Sequence, residues 1–188
     1  MGVMPDCLIR EMALDPKYQM ITPFSERVSD EKTISYGLQP AGYDARLDPD
    51  IQVIDWARTA GEILDPLDLN TDMYFPGLAD PFIVLPPNGF IVGKTVERFK
   101  VPRGYVVRGA SKTIYSSVGV NFDVASIHPG WEGHLKLHIS NTTKVPVKIY
   151  GGMGIVYLEF HEIDGRVERD YTQIQGTRFQ CHGDKKEG

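Results

Sequence analysis

Residues 82–92 read FIVLPPNGFIV, a pattern of apolar runs and turn residues that is typical of β-structure. Two short runs of β-branched and aromatic residues, Phe82 to Leu85 and Phe90 to Val92, flank the sequence PPNG. Such runs favour β-strands, and Pro, Asn and Gly between them favour a turn. The stretch therefore predicts two short strands joined by a turn.

Similar runs recur along the chain from about residue 33 onward, separated by Pro, Gly, Asn and Asp. Their spacing is typical of an antiparallel sandwich or barrel. No long helical pattern alternates with them, which argues against a doubly wound α/β sheet. The further runs are Thr33 to Tyr36, Gln52 to Ile54, Tyr105 to Val107, Leu135 to Ile139, Val145 to Tyr150 and Ile155 to Phe160.

One short helix is predicted near the N-terminus. Pro5 and Asp6 form a cap signal, and apolar residues follow at helical spacing until Pro16. These apolar residues are Leu8, Ile9, Met12 and Ala13. The expected architecture is therefore all-β with a short N-terminal helix.

Length and charge narrow the function classes. The chain has 188 residues, of which 41% are hydrophobic, and a formal net charge of -5. A chain of this size suits one core, so we expect residues 1–188 to form a single domain. The acidic balance argues against nucleic-acid binding, which depends on Lys and Arg neutralising phosphates. The two cysteines, Cys7 and Cys181, provide neither a disulfide framework nor a zinc set.

The terminal segments and the hydropathy pattern predict a cytoplasmic protein without a membrane partner. Charged residues interrupt the apolar ones in residues 1–20, unlike the core of a signal peptide. No later window approaches the ~20 apolar residues that a membrane span requires. Residues 183–188 are small and charged, and we expect residues 171–188 to form a mobile C-terminal segment.

Several strings, spread in one order from about residue 4 to residue 182, resemble the dCTP deaminase family, the deaminating branch of the trimeric dUTPase superfamily. They are SYG at 35–37, GYDARL at 42–47, LPPNGF at 85–90, KTVERF at 94–99, PGWEGH at 129–134, SNTT at 140–143 and VPVKIY at 145–150. The resemblance implies a dUTPase-like distorted jelly-roll β-barrel and a homotrimer whose sites are built from neighbouring subunits. It also implies a deoxynucleoside triphosphate substrate with Mg²⁺ bound through the triphosphate, and no zinc.

The resemblance assigns the catalytic proton carrier to His138. In the family this position is a Glu on the strand after the PGWxG turn, in the string LEF, and here the string reads Leu137-His138-Ile139. Histidine titrates near neutrality and is a competent general base. Alternatively, His138 is a structural residue that points inward from the strand and forms a hydrogen bond with a neighbour.

A second motif of the family, Gly, then Arg or Lys, then Ser, with an Arg four residues after that Ser, carries oxyanion and phosphate contacts. It aligns with Lys112 at the basic position, Thr113 at the Ser and Ser117 at the Arg. Thr113 retains the hydroxyl of the family's Ser. Ser117 does not replace the guanidinium of the family's Arg, which supplies several hydrogen-bond donors in a fixed geometry. Ser111, Asp123, Val124 and Trp131 are also expected to contact the nucleotide, and the structural alternative for Trp131 is packing in the core or a subunit seam.

The residue before PGW is acidic in the superfamily, where it contacts the sugar in deaminases and activates water in dUTPases. Here it is His128, and its structural alternative is a turn residue bonded to backbone. The closing segment of the family folds over the triphosphate. It aligns with Tyr171, Arg178, Gln180 and His182.

Three hypotheses follow. The first is deamination of dCTP to dUTP, with Thr113 and His138 managing water and protons. The second is pyrophosphate release from dUTP, dCTP or a modified pyrimidine nucleotide, with His128 as water activator. The third is a non-catalytic nucleotide-binding trimer, suggested by the loss of both acids and the Arg.

Overall fold

The computed structural model describes residues 2–55, 63–68, 71–124 and 126–174. These residues form two short α-helices, two 3₁₀ turns and thirteen strands. The helices are α1 (Asp6–Leu14) and α2 (Thr113–Ser116), and the 3₁₀ turns are Thr71–Met73 and Tyr171–Gln173. The strands are β1 (Ile21–Thr22), β2 (Val28–Asp30), β3 (Thr33–Gln39), β4 (Gly42–Arg46), β5 (Asp50–Ile54), β6 (Tyr74–Leu78), β7 (Phe82–Leu85), β8 (Phe90–Lys100), β9 (Tyr105–Ser111), β10 (Val120–Asp123), β11 (Glu132–Asn141), β12 (Val147–Tyr150) and β13 (Gly154–Glu162).

The strands pair in three antiparallel sheets. The largest has the order β10-β11-β8-β5-β6, with β1 also paired to β8, and the second has the order β2-β3-β4-β13-β9. The third contains only β7 and β12. The all-β prediction with a short N-terminal helix is confirmed, although the described strands form these open sheets and do not close into a barrel.

The core lies between the sheets and is built by alternation along the strands. On β11 the residues Leu135, Leu137 and Ile139 are buried, and the residues between them face outward. Such alternation leaves one face of the sheet for the core and the other for function or solvent. Because of it, every second side chain of β11 is available to a site.

One charged pair is buried within this core. The Glu97 side chain is fully buried and accepts from Arg46 Nε at 2.7 Å and from the Arg46 backbone N at 2.8 Å. The Arg46 guanidinium in turn lies over the Tyr36 ring, 4.9 Å from its centroid. The pair links β8 to β4 and so fastens the two large sheets together.

The element predictions hold where the apolar pattern is strong. The helix begins at Asp6 and buries Ile9, Met12 and Ala13, while Leu8 packs partly against the core. Every predicted strand is present, and β8 and β11 are longer than predicted. Strands β1, β2, β4, β6 and β10 were not predicted. Among the described residues, neither helix has the length and apolar character needed to cross a membrane.

Candidate functional site

His138 lies on the outward face of β11. In the largest sheet, β11 lies between β10 and β8. In the antiparallel register His138 lies opposite Asp123 of β10 on one side and Val92 of β8 on the other. The His138 ring also stacks on Phe90, with centroids 6.0 Å apart and planes 16° apart. The strand pairing therefore fixes both the face and the neighbours of this imidazole.

A cavity of about 310 Å³ opens beside His138. The cavity is bordered by β10 and β11, by the turn that precedes Trp131 and by Tyr171. Its lining is mainly apolar, with two imidazoles, one carboxylate and one ammonium at its wall. The lining residues are Asp123, Val124, Ser126, Ile127, His128, Trp131, Leu135, Lys136, His138 and Tyr171. A concave, mostly apolar site with a few polar groups is typical of small-molecule binding.

The His138 imidazole is half-buried, and none of the described residues forms a hydrogen bond with it. Burial lowers its pKa, and the charge of Lys136 lowers the pKa further, while Asp123 acts in the opposite direction. The neutral form of the ring, which has a free lone pair, is therefore favoured. A neutral imidazole that faces a cavity can accept a proton from water.

His128 lies across the same cavity in the turn before Trp131. Its ring stacks on Tyr171, with centroids 5.9 Å apart and planes only 8° apart. The Tyr171 backbone N donates to the carbonyl of Pro129 at 2.8 Å. Tyr171 therefore forms one wall of the cavity.

Asp170 anchors this wall. Its carboxylate is buried, pairs with Arg103, and accepts from the Thr172 backbone N at 3.0 Å and from Thr172 Oγ1 at 2.5 Å. The hydrogen bonds from Thr172 lower the pKa of Asp170, and the charge of Arg103 adds to this effect. Gly130 has a positive φ of 81° and lies against Asp170, where an added Cβ would come within 3.0 Å of the Asp170 side chain. The turn before Trp131 and the C-terminal segment are thus fitted closely together.

The second predicted motif lines a different cavity. Ser111, Lys112 and Thr113 border a cleft of about 770 Å³ at the end of β9, rich in hydroxyl groups. Lys112 Nζ forms an ion pair with the buried Asp44 and lies 3.2 Å from Ser35 Oγ. Within one chain, therefore, Thr113 and His138 do not meet in one cavity.

Ser117, aligned with the lost Arg, lies at the end of α2. It is exposed, and its Oγ donates to the carbonyl of Ile114 at 2.9 Å. Ser117 lines neither cavity. Arg178, Gln180 and His182 lie outside the described residues, so their predicted contacts stay predictions.

The two other histidines of the described residues, His134 and His161, do not line the cavity. His134 Nδ1 lies 2.9 Å from the carbonyl of Thr95, and His161 Nε2 lies 3.1 Å from Glu159 Oε2. Within the described ranges, no group of three or more His, Cys, Asp or Glu side chains is placed to hold a metal ion.

Sequence reasoning missed four residues of the cavity wall, which are Ser126, Ile127, Leu135 and Lys136. The alternation along β11 could have found Lys136, since it lies two residues before His138 on the same face. Asp170 had no such signal, because its role depends on contacts with Arg103 and Gly130 that are distant in sequence.

A model of the dCTP deaminase-like family, DCD, matches residues 11–163. The dCTP deaminase of Wolbachia sp. subsp. Drosophila simulans (strain wRi) is 37% identical over 183 residues, which cover 97% of this chain and 96% of that relative. The dCTP deaminase of Sulfurovum sp. (strain NBC37-1) is 38% identical over 176 residues, or 94% of this chain and 91% of that relative.

Among solved structures, the 2'-deoxycytidine 5'-triphosphate deaminase from Agrobacterium tumefaciens matches with a TM-score of 0.62 and 18% identity. The match covers 85% of this chain and 47% of that chain, so this chain spans about half of its length. That likeness confirms the fold, and the sequence matches extend over nearly the whole chain. The chain belongs to the dCTP deaminase-like family.

Proposed function

We propose that this protein is a hydrolase that converts dCTP to dUTP in the His138 cavity. The observation that carries the proposal is the position of His138. The resemblance aligns it with the family's proton carrier, and in the structure it faces a cavity of about 310 Å³ and has no hydrogen-bond partner among the described residues. Burial lowers its pKa, which favours the basic form of the ring.

In the proposed reaction, water adds to C4 of the cytosine ring. The His138 imidazole takes one water proton as the C4–O bond forms and passes it to N3 of the ring. It then takes the proton of the C4 hydroxyl and gives it to the amine, so that the C4–N bond breaks and ammonia leaves. Atoms balance as dCTP plus water giving dUTP plus ammonia. Positioned proton transfer of this kind contributes about 10²- to 10⁴-fold to rate.

The cavity can bind a flat heterocycle. Trp131 is buried at its wall, and Tyr171 and His128 form a stacked pair at its rim. Val124 and Leu135 add apolar surface. Aromatic and aliphatic walls favour a pyrimidine ring, and the polar groups of Lys136 and His138 are available for its hydrogen bonds.

The proposal includes a homotrimer. Thr113 and Lys112 line a cleft separate from the His138 cavity. These two residues and His138 can therefore contact one nucleotide only if neighbouring subunits contribute them. Mg²⁺ would arrive on the triphosphate, whose charge it neutralises. Arg178, Gln180 and His182 would close over the phosphates, and a cytoplasmic location suits a deoxynucleotide substrate.

The second candidate is pyrophosphate release with His128 as the water activator. It is supported by the location of His128 in the same cavity. However, His128 is stacked on Tyr171, whereas His138 is the residue that the resemblance aligns with the family's proton carrier. The third candidate, binding without turnover, is supported by Ser117, which leaves no guanidinium at the position of the family's Arg.

The test is a product assay with purified protein, Mg²⁺ and a panel of dCTP, dUTP, dTTP and 5-substituted dCTP. The proposal expects dUTP and ammonia from dCTP, and loss of both with His138→Ala. His134→Ala is the matched control, because His134 lies on the same strand and face but outside the cavity. Monophosphate products would favour the second candidate. Thermal stabilisation by nucleotide without any product would favour the third.

A further inference from the structure

His138 and Asp123 face each other across two neighbouring strands. They are register partners in the antiparallel pair β10–β11, and both line the cavity. Directly opposed residues have Cβ atoms about 4.5–5.5 Å apart and side chains on the same face of the sheet. The backbone pairing therefore places a carboxylate beside the imidazole.

Asp123 is the carboxylate of this cavity. Among the described lining residues no other Asp or Glu is present. On the opposite side of His138, β8 provides only the apolar side chains of Phe90 and Val92. The other titratable or charged groups near His138 are Lys136 on its own strand, with His128 and Tyr171 across the cavity. Lysine is a donor only, so Asp123 is the charged acceptor available to an imidazole N–H.

We propose that Asp123 is a positioning residue that orients His138, so that a His–Asp pair on two strands replaces the single Glu of the family. The Asp123 carboxylate accepts the N–H of one ring nitrogen and leaves the lone pair of the other nitrogen facing the substrate. The proton taken from water resides on the imidazole. A buried or half-buried imidazole held by a carboxylate has a fixed tautomer and a stabilised imidazolium.

The electrostatics agree with this role. Burial is the largest influence on the pKa of His138 and lowers it, and Lys136 lowers it further, whereas Asp123 raises it. No hydrogen bond joins the Asp123 and His138 side chains among the described contacts. Catalytic hydrogen bonds are often long before substrate binds and tighten in the complex. Asp123 is exposed at the end of β10, so its side chain is free to rotate toward the ring.

The role rests on the proposed deamination but has a test that needs no turnover. The experiment compares Asp123→Asn with wild-type protein and with Asp164→Asn, an exposed carboxylate on the turn after β13 that lines none of the cavities described. NMR of the His138 imidazole, titrated in protein free of nucleotide, reports its pKa and its neutral tautomer. Steady-state kinetics with dCTP and Mg²⁺ separate kcat from KM.

Asp123→Asn is expected to lower the pKa of His138 and to change its tautomer ratio, with Asp164→Asn unchanged. In kinetics, kcat falls by about 10²-fold or more while KM changes little, as expected for a group acting through a general base. An unchanged His138 titration overturns the proposal. So does an effect confined to KM, which would make Asp123 a simple substrate contact. If wild-type protein turns over no nucleotide, the proposed deamination is wrong. The NMR titration then tests the interaction of Asp123 with His138 by itself.

Discussion

Tyr171 lies face to face with His128, with ring centroids 5.9 Å apart and planes 8° apart. A backbone hydrogen bond from Tyr171 to Pro129 holds the same residue to the turn before Trp131. The wall of the cavity is therefore made by a segment that reaches it from the C-terminal part of the chain.

Removing this ring should weaken nucleotide binding. An aromatic pair contributes about 0.5–1.5 kcal/mol beyond buried area, so Tyr171→Ala should raise the Kd of dCTP by roughly 2- to 10-fold. Tyr171→Phe keeps the ring and serves as the control. Calorimetric titration of both variants measures the effect, and equal affinities for the Ala and Phe variants would contradict the assigned role.

Asp170 should give a pH-dependent contribution to stability. Its pKa is lowered in the folded state, chiefly by the hydrogen bonds from Thr172, so its ionised form is favoured by folding. The contribution is therefore complete above the unfolded pKa of about 3.9 and is lost as pH falls through the lower folded pKa. Urea midpoints of wild type and Asp170→Asn should differ most above about pH 4 and converge in stronger acid. A constant difference across that range would show that the charge is not responsible.

Lys136 should set the acid limit of activity. Because its charge helps to lower the pKa of His138, Lys136→Gln should raise that pKa. Protonated imidazole cannot act as a base, so the acid limb of kcat/KM should move to higher pH. The profile of kcat/KM against pH measures this shift, with Lys144→Gln as the control at an exposed loop lysine. A limb that stays in place, or moves to lower pH, would contradict the role of Lys136.

The buried pair between Glu97 and Arg46 should be costly to break. Glu97→Ala leaves a largely buried guanidinium without its carboxylate, which costs about 3–5 kcal/mol in the free energy of unfolding. Glu26→Ala removes a partner of Arg10 at an exposed pair and should leave the unfolding midpoint near that of wild type. Chemical denaturation measures both variants, and similar midpoints for the two would refute the difference between buried and exposed pairs.

The sequence was sufficient for elements whose apolar pattern is continuous. Helix α1 and strand β7 lie where they were predicted, because the burial of Ile9 or the run from Phe82 to Leu85 needs no distant information. Strands such as β4 and β10 were missed, since Gly42, Asp44 and Asn121 have low strand propensity and are held there by their partner strands. Tertiary pairing overrode local preference at these positions.

The candidate site was predicted only in part. Of the residues that the resemblance names, His138, His128, Trp131 and Tyr171 lie together in one cavity. It could not show that Thr113 lines another cleft, or that Lys112 is paired with Asp44, because both depend on how β9 packs against β4 and β13. The opposition of Asp123 and His138 likewise follows from strand register, which short-range patterns do not contain.

The central claim is that the bond broken is the C4–N bond of cytosine. The most direct measurement incubates the protein with dCTP and Mg²⁺ in water enriched in oxygen-18 and locates the label by mass spectrometry. Deamination in the His138 cavity predicts dUTP with one labelled oxygen in the uracil base and an equal amount of ammonia. Label in a phosphate group, or dCTP recovered unchanged, would contradict it.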